Sequence, residues 1–236
     1  MVLLGTLVNG GSIIVGSLLG KLLNRIPEKV KGTVMHAIGL AVIVLGLQMG
    51  LKSEQYLIVI LSLVFGAMIG EFLSLENHLN AFGIWLEKKI GTNGQGSIAE
   101  GFITATLVFV IGAMAVLGAL DSGIRGDHTV LYTKAVIDGF TALILTSTLG
   151  IGVLFSVVPV VIYEGTIALF ATQINHVIPN SIMHSFITEM TATGGIMIFA
   201  IGLNITGLTK IRVANFLPGI IVVAVIVAII HVYHGL

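Results

Sequence analysis

Cysteine is absent from this chain of 236 residues, which excludes disulfides, thiolate-bound metals and thiol nucleophiles together. Charge is scarce as well: Asp, Glu, Lys and Arg make up 9% of the residues, against about a quarter in a soluble domain. Eleven basic and eleven acidic side chains cancel, so there is neither a basic surface for nucleic acid nor an acidic tail. The motifs H-E-x-x-H, G-x-x-x-x-G-K-[ST] and G-x-S-x-G are missing, and the seven histidines show no metal-ligand spacing. No nucleophile–base pair or metal constellation can be assembled from what remains. The expectation is therefore no enzyme and no cofactor.

What the chain does contain is apolar. Hydrophobic residues make up 56% of it and the mean hydropathy is +1.09, the profile of a polytopic membrane protein whose principal partner is the lipid bilayer. Residues 2–23 have no Lys or Arg before them and no small-residue cleavage site after them, so they read as a first span rather than a removed signal peptide. A hydrocarbon core of about 30 Å needs about 20 apolar residues per helix. On that rule an all-α bundle of eight spans is expected, near 2–22, 34–51, 56–75, 98–120, 135–157, 159–176, 182–208 and 212–233. The fifth and sixth are divided only by Pro159, which leaves a re-entrant segment open there.

Loop charge sets the expected orientation. With both termini outside, Lys21, Arg25, Lys29, Lys31, Lys88, Lys89, Lys210 and Arg212 fall on the cytoplasmic side, and Lys52, Arg125 and Lys134 fall outside. Between spans 3 and 4, Leu75, Leu79, Phe82, Leu86 and Ile90 recur at helical spacing. They predict an interfacial amphipathic helix anchored by Trp85, with a straight extension of span 3 as the alternative. A flexible linker, GTNGQGS, follows at 91–97.

The chain also repeats itself. IPEKVKGTVMHAIGLAVIVLGLQMGL, from Ile26 to Leu51, is echoed from Ile178 to Leu208, with Gly39 aligned on Gly195 and Gly46-Leu47-Gln48 on Gly202-Leu203-Asn204. Four extra residues around Thr188–Thr191 bring in Glu189, which has no counterpart in the first copy. An odd number of crossings between the copies makes them inverted. The expected organisation is a first membrane repeat over 1–75, the interfacial helix and linker over 76–97, a central hairpin over 98–157 and a second, inverted repeat over 158–236.

The candidate functional residues are the polar ones at depth. Small residues mark the inward faces: Gly5, Asn9, Ser12, Gly16 and Gly20 on span 1, His36, Gly39, Gly46 and Gly50 on span 2, and Ser62, Gly66, Gly70 and Ser74 on span 3. Such stripes serve packing first. Glu189, on a polar face with Ser185, Thr188 and Thr193, is the leading candidate for an ion or proton pathway. An intramembrane carboxylate without a cation is costly as an anion, so it can take up and release a proton or hold a cation. Glu164 and Asp138 are the next candidates, placed near enough to span ends to be solvated, with Lys134 in sequence reach of Asp138 alone. The amides Asn9, Gln48 and Asn204 could line the same path or join helices by hydrogen bonds.

Three stretches are distinctive: the opening GTLVNGGSIIVGSLLG, the central FVIGAMAVLGAL with KAVIDGFTALILTSTLGIGV, and the closing GLNITGLTKIRVANFLPG. In these the chain resembles, over essentially its whole length, the YdfK/YqgA-type family of bacterial membrane proteins, a domain-of-unknown-function family. The resemblance implies the bacterial inner membrane and supplies no residue roles. The expected function is a small secondary transporter, or a proton- or cation-coupled carrier of an ion or small solute. An ion channel and a non-transporting scaffold or accessory subunit are the alternatives, and the small-residue faces would allow a homodimer.

Overall fold

The fold comes from a computed structural model, which describes residues 1–22, 28–90 and 98–234. Its helices are α1 (Leu4–Leu22), α2 (Glu28–Gly50), α3 (Tyr56–Phe72), α4 (Leu75–Ile90), α5 (Ile98–Val110), α6 (Ala113–Ile124), α7 (Thr129–Leu149), α8 (Val157–Leu169), α9 (Ala171–Val177), α10 (Asn180–Ile205) and α11 (Gly219–His234). Two 3-10 turns, Ile151–Ser156 and Val213–Phe216, precede α8 and α11, and no strand occurs among the described residues. Arg25, the Ile26-Pro27 pair and the linker 91–97 lie outside the described residues, as do the side chains of Lys29, Lys31, Phe82, Leu86, Lys88, Lys89 and Ile90.

Four segments among the described residues are long and apolar enough to cross a membrane: Thr129–Leu149, Ile151–Leu169, Ile182–Ile205 and Val213–Tyr233. Two bent pairs raise the number to six if each is one crossing. These are α3 with the start of α4, bent by 57°, and α5 with α6, bent by 59°. About eight spans were expected. The first falls short because α1 is rich in glycine and carries Thr6, Asn9, Ser12 and Ser17, and these residues lower its hydropathy while forming much of its buried face. The bend after α3 also means that α4 is not a straight continuation of it; Ser74, with φ 50°, turns the chain there.

The break in the long apolar run after α7 falls at Gly150, not at Pro159. Gly150 takes φ 85°, which a residue with a side chain adopts only at a cost, and its N–H closes α7 on the Thr146 carbonyl. Pro159 lies in the first turn of α8, where a missing N–H leaves no helical hydrogen bond unmade. At the other end of α7 the Thr129 N–H donates to Asp127 Oδ1 at 2.9 Å. That bond, with help from the Thr129 hydroxyl, holds this exposed carboxyl below the usual carboxylate range.

The chain folds into two compact units made of interleaved segments. The first comprises Met1–Gly32 and Leu79–Val177. Here α1 runs parallel to α7 and antiparallel to α8, with Gly5 on Leu131, Gly16 on Gly139, Gly20 on Leu143 and Gly10 on Val157 and Val161. A side-chain carbon at Gly16 would overlap the Gly139 carbonyl oxygen, so the α1–α7 approach needs glycine there.

The second unit comprises Thr33–His78 and Ile178–Leu236. Within it α2 and α10 cross antiparallel, with Gly39 against Gly202 and Gly46 against Gly195. Ser62, Gly66 and Gly70 of α3 pack on the start of α11 and the 3-10 turn before it. A reciprocal latch holds that corner: Glu76 N–H donates to Asn215 Oδ1 at 2.8 Å, and Ala214 N–H donates to Glu76 Oε2 at 3.0 Å. Asn215 Nδ2 donates to Glu71 Oε2 at 2.6 Å, and Arg212 pairs with the other oxygen of Glu71.

Two neighbouring glycines of α1 test the close approach. Gly16→Ala forces the Gly139 backbone away and should cost about 1–3 kcal/mol. Gly11→Ala meets nothing within 4 Å and should be neutral or stabilising by up to about 1 kcal/mol. Unfolding midpoints in detergent, measured side by side, check the contrast; equal midpoints would contradict it.

Candidate functional site

Charged side chains can be kept away from water only if their partners travel with them, and the first unit contains such a group. Lys134 and Asp138 stand one turn apart on α7, Asn9 comes from α1, and Glu164 from α8. The glycine-lined approach of α1 to α7 brings Asn9 to the other three. Asn9 Nδ2 donates to Glu164 Oε1 at 2.9 Å. Lys134 Nζ lies 3.3 Å from that same oxygen and donates to Asp138 Oδ2. Glu164 and Asn9 have 0% exposure, Lys134 5% and Asp138 6%, so the four form an enclosed charged site.

Their charges do not cancel: one ammonium faces two carboxylates. Two oxygens are also left over. Glu164 Oε2 and Asn9 Oδ1 are buried without a hydrogen-bond partner, as is the Thr6 hydroxyl one turn before Asn9. Buried polar atoms normally have partners, because desolvation without one costs about 1–3 kcal/mol each. An incompletely satisfied site with an excess negative charge is suited to accepting a small cation or a proton.

Sequence reasoning put Lys134 in an outer loop and within reach of Asp138 alone. It is instead buried in the second turn of α7, next to Glu164 as well. The missed signal is the pairing of Lys134 and Asp138 at i and i+4 on an apolar helix, which gives each charge a partner. With that pair in place, neither Asp138 nor Glu164 is solvated as their nearness to span ends had suggested.

Glu189 lies in the other unit and is bound differently. Its Oε2 accepts from the Ser53 hydroxyl at 2.6 Å, and its Oε1 accepts from the backbone N–H groups of Glu54 and Gln55 at 2.9 Å each. Those donors lie in the turn just before α3, at the positive end of the helix dipole. With 2% exposure and both oxygens bonded, Glu189 ties α10 to the start of α3. Glu189 thus serves there to pin the turn that precedes α3.

The remaining candidates are spread over both units. Asn204 clamps the turn after α10: Oδ1 accepts from the Thr209 hydroxyl and Ile211 N–H, and Nδ2 donates to the Ile211 carbonyl. Gln48 is exposed on α2, and Thr188 is half-buried. The Thr193 hydroxyl is buried without a partner. Ser12 is half-buried and lines an open groove between α1 and α7 in the first unit. Ser185, with Gln55 and His231, borders a cavity of about 120 Å³ in the second unit.

Comparison with known proteins agrees with a membrane chain. The family model described as "Protein of unknown function (DUF554)" matches residues 4–228. The "Uncharacterized membrane protein YdfK" of Bacillus subtilis (strain 168) is 32% identical over 234 residues, covering 97% of each chain. The "Uncharacterized protein YqgA" of Escherichia coli (strain K12) is 28% identical over 223 residues, 92% of this chain and 93% of its own. No solved structure matches.

Two substitutions test these bonding patterns. Lys134→Met strands Asp138 as a buried charge and should cost about 3–5 kcal/mol, much of it recovered in the Lys134→Met/Asp138→Leu double variant. Glu189→Gln replaces a carboxyl group that accepts three hydrogen bonds and should lower the unfolding free energy by about 1–3 kcal/mol. Chemical denaturation in detergent reads both; a stable Lys134→Met protein would rule out the ion pair.

Proposed function

The chain belongs to the DUF554 family, and from the buried cluster we infer that it is a proton- or cation-coupled carrier of an ion or small solute across the bacterial inner membrane. The observation that carries the reading is the group Asn9, Lys134, Asp138 and Glu164: charged, enclosed, one positive charge short, and with two buried oxygens unbonded. A purely structural ion pair gains nothing from a second carboxylate left without a full set of partners. A site that alternately holds and releases a cation needs one.

The glycine contacts favour an inverted repeat. The alignment equates Gly39 with Gly195 and Gly46 with Gly202, and the observed contacts are crosswise, Gly39 to Gly202 and Gly46 to Gly195. That exchange is what a local twofold relation between the α2 and α10 copies produces. Inverted repeats give carriers two related conformations that open to opposite sides. In this reading both termini face outward, and Glu164 is the coupling carboxylate with Lys134 and Asp138 as its fixed ion pair. Asn9 is the ligand shared with α1, and Glu189 and Asn204 hold the ends of helices in the second unit.

The test is pH-dependent charge movement and solute counterflow in proteoliposomes, with wild type and Glu164→Gln compared at equal folded protein across a panel of ions and metabolites. Saturable flux with counterflow that disappears in Glu164→Gln supports the carrier. Flux that does not saturate would mean a channel, and the absence of any flux from folded wild type, electroneutral exchange included, would leave a scaffold.

A further inference from the structure

The two unbonded oxygens of the buried cluster belong to side chains that already touch. Asn9 Nδ2 donates to Glu164 Oε1 at 2.9 Å, while Asn9 Oδ1 and Glu164 Oε2 have no hydrogen-bond partner. A primary amide and a carboxylic acid join through two hydrogen bonds, amide N–H to carboxyl oxygen and carboxyl O–H to amide oxygen. The first of these is present. The second requires a proton on Glu164 Oε2, because two acceptor oxygens cannot bond without one.

We propose that Glu164 rests as the neutral acid, its Oε2–H donated to Asn9 Oδ1, while Lys134 and Asp138 remain an ion pair beside it. A single proton then supplies the missing partner to both oxygens and brings the cluster from one net negative charge to zero, which an enclosed site of low polarity strongly favours. The same geometry provides for the other state. When the proton leaves Oε2 for water, Lys134 Nζ, 3.3 Å from Oε1, is the cation that faces the new carboxylate. Glu164 therefore has two partners for two charge states, Asn9 for the acid and Lys134 for the anion. In each cycle one proton is taken from water and one is returned to it.

The other titratable groups on elements packed against α8 are differently placed. On α1 Lys21 is exposed, on α6 Asp121 is paired with Arg125 at 2.6 Å, and on α5 and α9 Glu100 and His176 are exposed. Tyr163 is the neighbour of Glu164 on α8 itself. The coupling role of this proton rests on the carrier reading; the protonation state does not.

Infrared spectroscopy of the intact protein in lipid discs, across neutral pH in H₂O and D₂O, reads the state directly. A protonated-carboxyl C=O band is expected in wild type, absent in Glu164→Gln and moved to higher frequency in Asn9→Leu, where the acid loses its amide acceptor. Glu164→Gln should keep the wild-type unfolding midpoint, because its amide can make both bonds to Asn9, whereas Glu164→Ala should not. If no band depends on Glu164, or if sodium ions abolish the band where choline does not, the proposal fails and the oxygens hold a metal cation or nothing. The Asn9→Leu shift decides the matter on its own should Glu164→Gln not fold. A Glu164 band in a protein without flux would remove the carrier reading and leave the acid in place; flux without the band would do the reverse.

Discussion

A membrane interior offers no hydrogen-bonding solvent, so every polar group placed there has to be met by the protein itself. The rest of this fold depends on that constraint. Helices are the economical answer for the backbone, and at several turns between them a polar side chain is brought in. Glu189 meets N–H groups in the turn before α3, Asn204 ties the turn after α10, and Asn215 and Glu76 cap one another's segments.

Seen this way, the two most deeply buried glutamates are opposites. The two oxygens of Glu189 receive three donors, two of them backbone N–H groups in the turn before α3. Glu164 has two donors on one oxygen and none on the other, and both donors are side chains. The first arrangement fixes a charge in place, and the second leaves room for a charge to change. Geometry, rather than depth in the membrane, separates anchor from candidate coupling site.

Much of the architecture is legible in the sequence, because membrane helices are announced by composition and their seams by small residues. The stripe Gly5, Asn9, Gly16 and Gly20 does face α7 and α8, and Ser62, Gly66 and Gly70 do face the start of α11. The breaks were harder to place: Gly150 and Ser74 act through backbone angles that hydropathy does not register, while Pro159 sits harmlessly in a first helical turn. Hydropathy also misjudges α1, whose polar side chains are the ones it turns inward. The site was legible in its members but not in its grouping. Asn9, Asp138 and Glu164 stand out individually, yet the partner that joins them, Lys134, reads along the chain as a loop cation. Glu189 looked most functional for the converse reason, since the donors that satisfy it come from residues 53–55, more than a hundred positions away.

Charge movement in the same batch of proteoliposomes, normalised to folded protein, for Glu164→Gln against Glu189→Gln tests this division most directly. The account predicts that flux vanishes with Glu164→Gln and persists, per folded molecule, with Glu189→Gln despite its lower stability. Flux retained in Glu164→Gln and lost in folded Glu189→Gln would contradict it, and would return the coupling role to the carboxylate at the head of α3.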